Sequence, residues 1–192
     1  MKRIIPLFMI FFVLSLSFNL QAQDDQQAMM QAWQEYMTPG PMHQMLAKGV
    51  GEWKTEITMW MDPSQPPMTV EGKAVCEALL DGRYFQTRHE STMMGMPFHG
   101  VDVSGYDNAK KKFFSTWIDN MGTGVMHLEG AFDEATKTVI LTGTAVDPMG
   151  KEVQVREVIK EIDADNTLFE MYNSQDGKEF KSMEMKLIRV KS

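Results

Sequence analysis

Beyond Gly51 the chain is punctuated by turn-forming residues at near-regular intervals. They fall at Asp62-Pro63 through Pro67, Asp81-Gly82, Gly95-Met96-Pro97, Asp107-Asn108, Asn120-Met121-Gly122, Asp133-Glu134, Asp147-Pro148-Met149-Gly150, Asp163 to Asn166, and Asp176-Gly177. Nine turns separate ten segments, most of about ten residues, the spacing of short strands. Within the segments apolar and polar residues alternate. Trp53, Ile57, Met59 and Met61 oppose Lys54, Glu56 and Thr58; Val153, Val155, Glu157 and Ile159 oppose Glu152, Gln154, Arg156 and Lys160; Met183, Met185 and Leu187 oppose Ser182, Glu184 and Lys186. Successive strand side chains point to opposite faces, so period two marks strands buried on one side. Every connection is shorter than the dozen or so residues of a parallel crossover, which leaves an antiparallel meander. Such a sheet has two exposed edges unless it closes. The expectation is an all-β, antiparallel up-and-down ten-stranded barrel; an open sheet covered by N-terminal helices is the alternative.

The residues ahead of the strands divide in two. Met1-Lys2-Arg3 is basic, Ile4 to Leu16 is almost wholly apolar, and Leu20-Gln21-Ala22 leads into Gln23-Asp24. This is the layout of a secretory signal peptide over residues 1–22, with cleavage after about Ala22. The apolar run of about 13 residues is short for a bilayer core of roughly 30 Å, and no Cys follows it for lipid attachment. The mature protein is therefore expected outside the cytoplasm, in the periplasm or extracellular, with no membrane association after cleavage. Residues 23–49 read as a short helical segment: a helix from Asp24 to Met37, stopped by Pro39-Gly40-Pro41, then a brief turn of helix carrying Met42, Met45 and Leu46. Met29, Met30, Trp33, Tyr36 and Met37 fall at helical spacing, and an apolar stripe of this kind should lie on something. Residues 50–192 are the barrel domain.

Composition removes several classes of function. The formal charge of −7 argues against nucleic-acid binding, which needs a basic face. One Cys, Cys76, excludes an internal disulfide framework and a Cys-based zinc cluster. It reads as a small buried hydrophobe, with a free thiol as the alternative. No Gly-x-Ser-x-Gly, Walker loop or His-Glu-x-x-His occurs, and no cofactor or metal is called for.

Gly51-Glu52-Trp53 opens the first strand directly after a helical turn, and Arg189 ends the last strand on the alternation of Met183, Met185 and Leu187. This resembles the calycin signature of lipocalins and fatty-acid-binding proteins, in which a Gly-x-Trp opens the barrel and a basic residue of the last strand packs across the indole. The stretches Met59-Trp60-Met61-Asp62-Pro63, Thr92 to Phe98, Gly105-Tyr106-Asp107-Asn108 and Ser115 to Gly124 resemble domain-of-unknown-function family 1579, a group of bacterial proteins without an assigned activity. That resemblance runs from about Gly49 to Arg189 and carries no mechanism. The haem-binding nitrobindins are ten-stranded barrels of similar design that hold haem through a late His. No His follows His127 here, so their activity is not implied.

Candidate ligand-binding residues come from polar groups sharing an alternation with large apolar ones. Phe85, Thr87, His89, Ser91 and Met93 share a face of the third strand, Phe113, Ser115, Trp117 and Asp119 of the fifth, and Val125, His127 and Glu129 of the sixth. If these faces point inward, His89, Trp117, Asp119, His127 and Glu129 line one cavity, where a His and a carboxylate could fix a ligand's polar head or act as a general base. The opposite parity would put Arg88, Glu90, Phe114 and Thr116 inside. The leading functional expectation is non-enzymatic binding of a small, largely apolar partner inside the barrel. The alternatives are copper binding through Met and His, at Met42-His43-Gln44-Met45 or Met93-Met94-Gly95-Met96, and an enzyme of unknown type. The 19 Met residues bear on both readings, because thioethers also fill irregular apolar space.

Overall fold

The computed structural model describes the backbone of residues 8–61, 65–175 and 177–191 and the side chains of residues 23–61, 65–174 and 177–191. The leader expected over residues 1–22 therefore lies outside the described side chains. Among the described residues no helix is long and apolar enough to cross a membrane. The chain forms two compact units, residues 1–38 and 39–192.

The first unit is one helix, α1 (Phe8–Met37). It begins far upstream of Asp24, where the sequence reading started the helix, so Asp24 and Asp25 sit in mid-helix. Met29, Met30, Trp33, Tyr36 and Met37 are each more than half exposed, so the stripe read from the sequence does not form a buried face.

The second unit begins with α2 (Pro41–Ala47), whose proline occupies the first turn, where a missing N–H is harmless. Ten strands follow: β1 (Gly51–Met59), β2 (Met68–Leu79), β3 (Tyr84–Met93), β4 (Met96–Asp107), β5 (Lys112–Asp119), β6 (Met126–Asp133), β7 (Thr138–Val146), β8 (Glu152–Asp163), β9 (Asn166–Gln175) and β10 (Lys178–Arg189). Each pairs antiparallel with its chain neighbours, and β1 also pairs with β10 from Trp53↔Arg189 to Met59↔Met183, which closes the barrel. Closure satisfies both edges at once. β1 stops at Met59, so Met61, expected on its inner face, is 77% exposed instead.

One end of the barrel is filled by Phe113, Leu128, Leu141 and Val155, with Met42, Met45 and Leu46 of α2 packed against them. A second cluster, Ile57, Met59 and Met185, gathers Met68, Val70, Met93, Phe169, Met183 and Leu187 around it. Cys76 is buried and its thiol is pushed up by that burial. It is a packing residue.

Candidate functional site

The closed end explains the Gly-x-Trp motif. Gly51 adopts φ +130, and a Cβ there would press on Arg189 Nη1, so both backbone and space require glycine. The Trp53 indole donates from Nε1 to the Gly49 carbonyl at 2.9 Å. Across its ring lies Arg189, with Cζ 4.1 Å from the centroid. The same guanidinium donates to the carbonyls of Val50 at 2.8 Å, Lys48 at 2.5 Å and Ala164 at 3.1 Å. Arg189 thus ties the last strand to the α2–β1 connection and to the β8–β9 turn, using the planar fork that Lys lacks.

Strand register decides which residues face the lumen. Trp53 pairs with Ala74, Ala74 with His89, His89 with Gly100, and Gly100 with Asp119. Because β1 buries Trp53, Thr55, Ile57 and Met59, His89, Trp117 and Asp119 all sit on the inner face. The Trp117 indole lies across Gly100, where a Cβ would collide with the ring. It is flanked by His89 at 5.4 Å and Phe98 at 6.3 Å between ring centroids, and its Nε1 donates to Asp119 Oδ2 at 2.7 Å.

His127 and Glu129 do not join them. Trp117 pairs with Met126, Ser115 with Leu128 and Phe113 with Gly130, so the inner face of β6 carries Met126, Leu128 and Phe132, and the expected parity of this strand is reversed. Val125 precedes the strand and is 66% exposed. His127 lies 3.6 Å from Glu129 on the outer surface, where Lys110 also donates to Glu129 at 2.6 Å. This His–carboxylate pair faces solvent, not the lumen.

Three inner residues that the sequence reading did not nominate complete the lumen. Asp102, between Thr87 and Trp117 in register, accepts from Ser115 Oγ at 2.6 Å and from the Ser104 hydroxyl. Burial pushes its carboxyl up to about 6 despite those hydroxyls. Glu157, paired with Leu141 and Met171, is 6% exposed and accepts no hydrogen bond from the described residues. Desolvation, aided by the charge of Asp102, pushes it up to about 8. Asn173 follows on the same inner face, and its Oδ1, like Ser91 Oγ, is buried without a partner. Burial holds His89 down at about 4, so its imidazole is neutral near pH 7. The signal for Asp102 was present as Phe98, Asp102 and Tyr106 on one alternation, and for Asn173 as Phe169, Met171 and Asn173.

His89, Ser91, Asp102, Trp117, Phe169, Met171 and Asn173 face inward yet are half-buried, not buried. Trp53, Ala74, Phe85, Phe113 and Leu128, on the same inner face, are buried by contrast. The Met/His pairs suited to copper are placed differently. His43 Nδ1 accepts from the Gly40 amide at 3.1 Å and the ring also hydrogen-bonds the backbone of Tyr106, so both ring nitrogens are engaged. Met42 and Met45 pack on the core. Met93 faces inward, whereas Met94 sits in a turn at φ 51 and is 63% exposed. Among the described residues no cluster of three or more His, Cys, Asp or Glu could hold a metal ion.

The fold and its closing motif define the class: a closed, ten-stranded, antiparallel up-and-down barrel of calycin type. The chain belongs to the family described as "Protein of unknown function (DUF1579)", which matches residues 38–189. Among solved structures it is similar to Rv2717c from M. tuberculosis, at 14% identity and a TM-score of 0.60, over 80% of this chain and all of that one. It is also similar to a redesigned β-barrel, at 12% identity and a TM-score of 0.41, over 76% of this chain and 94% of that one. A search of the curated proteins gives no match. At these identities the likeness to Rv2717c concerns the fold alone.

Proposed function

We propose that this protein binds a small, largely apolar molecule in its barrel lumen without transforming it, and that it does so after export. The observation that carries the reading is the set of inward side chains left half-buried inside a closed barrel, together with two buried polar atoms without partners, Ser91 Oγ and Asn173 Oδ1. Native interiors rarely leave such atoms unsatisfied, and a bound molecule is one way to satisfy them. The apolar cluster around Met59 and Met185 supplies a deformable surface, since unbranched thioethers repack at little cost. Catalysis is not supported in the same way, because no carboxylate pairs with inner His89 among the described residues. Export rests on the leader-like residues 1–22.

The test is titration with N-phenyl-1-naphthylamine, a neutral apolar dye that brightens when shielded from water. Saturable binding of one dye per chain is expected, together with its loss in Ser91→Phe, which places a ring in the lumen. A dye that stays dark at every concentration contradicts the reading.

A further inference from the structure

The lumen has an uneven polar chemistry. Register places Asp102, Asp119, Glu157, Asn173 and neutral His89 on the inner face, and the basic residues of that parity stand at the two ends of β10: exposed Lys178, opposite Gln175, and Arg189, which is committed to Trp53 and to three carbonyls at the closed end. Lys73, Arg88, Lys112, Arg156, Lys181 and Lys186 either pair with acids on the outside or lie on outward positions. Of the three inner carboxyls, Asp119 accepts from the Trp117 indole, and neither Asp102 nor Glu157 has a basic partner among the described residues. Asp102 is held by two serine hydroxyls; Glu157 is held by none. The charge of Asp102 is felt at Glu157, and the two stand on β4 and β8, with three strands between them. The unpartnered Oδ1 of Asn173 adds another acceptor on the neighbouring strand.

Beside Glu157 the register is apolar. One continuous row runs Glu157, Met171, Met183, Met59 and Met68 across β8, β9, β10, β1 and β2. A carboxyl without a partner therefore borders four consecutive methionines on the inner wall. That juxtaposition fits a molecule with a hydrogen-bond-donating cation at one end and a flexible hydrocarbon at the other.

We infer that the lumen is selective for cationic amphiphiles, alkylammonium-type molecules whose protonated nitrogen sits at Glu157 and Asp102 and whose chain lies along the methionine row. This assignment rests on the lumen reading above and names its ligand class. An ammonium donates to the carboxyl oxygens of Glu157 and Asp102, and on binding it lets Glu157 ionise by supplying the counter-ion that this buried group otherwise lacks. A fatty-acid anion would bring a further carboxylate beside Asp102 and Glu157, where like charges repel strongly at low dielectric. The resemblance to fatty-acid-binding proteins thus extends to the closing motif and not to the polarity of the interior.

Displacement of N-phenyl-1-naphthylamine by decylamine, decanol and decanoate separates the claims, because the three share a chain and differ in head group. Near pH 7.5, decylamine should displace the dye at least about tenfold more effectively than decanol, with decanoate weakest. Glu157→Gln, nearly isosteric, should remove most of that advantage while dye binding persists. Equal displacement by all three, or an amine preference unchanged in Glu157→Gln, overturns the ligand class and leaves the lumen reading standing. Failure of both dye and amine to bind overturns both.

Discussion

Arg189 lies with its guanidinium carbon 4.1 Å from the ring centroid of Trp53, and these two residues come from opposite ends of the barrel sequence. Their contact is where the first and last strands meet. It converts an open meander into a closed wall, and the lumen exists because the wall closes.

Arg189→Ala removes the ring contact and hydrogen bonds to three carbonyls. Charged hydrogen bonds of this kind make the expected loss about 2–4 kcal/mol in urea unfolding. Arg189→Lys should recover less than half of it, because an ammonium cannot reproduce the planar fork. Full recovery by Lys would show that charge alone matters at this position.

Gly100→Ala places a methyl group against the Trp117 indole. Overpacking at a close approach typically costs about 1–3 kcal/mol. The indole must also tilt, which breaks its bond to Asp119 and should change the near-ultraviolet dichroism of the folded protein. An unchanged spectrum would mean that the ring does not lie over Gly100.

Stability should fall as the pH rises, and Glu157 should be the cause. Its carboxyl titrates at about 8 in the fold against an ordinary 4.5, so the unfolded chain loses its proton first. The stability that a neutral Glu157 allows is intact below pH 4.5 and is lost as the pH climbs towards 8. Asp102, raised to about 6, acts in the same direction between 3.8 and 6. His89, lowered to about 4, opposes both between 4 and 6.5, where stability from a neutral ring grows with pH. Glu157→Gln should therefore match the parent at pH 5 and exceed it by roughly 2–5 kcal/mol at pH 9. Parallel urea midpoints across that range would contradict the burial of an unpartnered carboxyl.

His127→Ala and Glu129→Ala should leave dye binding unchanged and have little effect on stability, as for other solvent-facing side chains. A marked loss of dye binding in either variant would place the sixth strand the other way round.

Much of the fold is legible in the sequence because it is written in local chemistry. Nine turn clusters and a two-residue alternation dictate antiparallel strands of matched length, and edge closure follows from hydrogen-bond satisfaction. Gly51, Trp53 and Arg189 are legible for the same reason: a motif at a strand mouth and a cation at a strand end. The site is less so. Reading β6 from His127 and Glu129 gives the wrong face, because two polar residues at alternate positions look alike inside and outside; Met126, Leu128 and Phe132 on the other parity carry the stronger signal. The approach of Asp102 towards Glu157 depends on register across strands far apart in the chain, and no local pattern encodes it. The N-terminal helix shows the same limit, since the periodicity of Met29, Trp33 and Tyr36 says that a helix forms and not that its stripe is covered.

Ligand binding in the lumen is tested most directly by methyl NMR of protein labelled at its methionine ε-carbons and titrated with decylamine. The inner methyls of Met59, Met68, Met171 and Met183 should shift together and saturate at one ligand per chain, while exposed Met61, Met94 and Met149, which are 77%, 63% and 90% accessible, stay in place. Shifts confined to those exposed methyls, or no saturable shift at all, would contradict ligand binding inside the barrel.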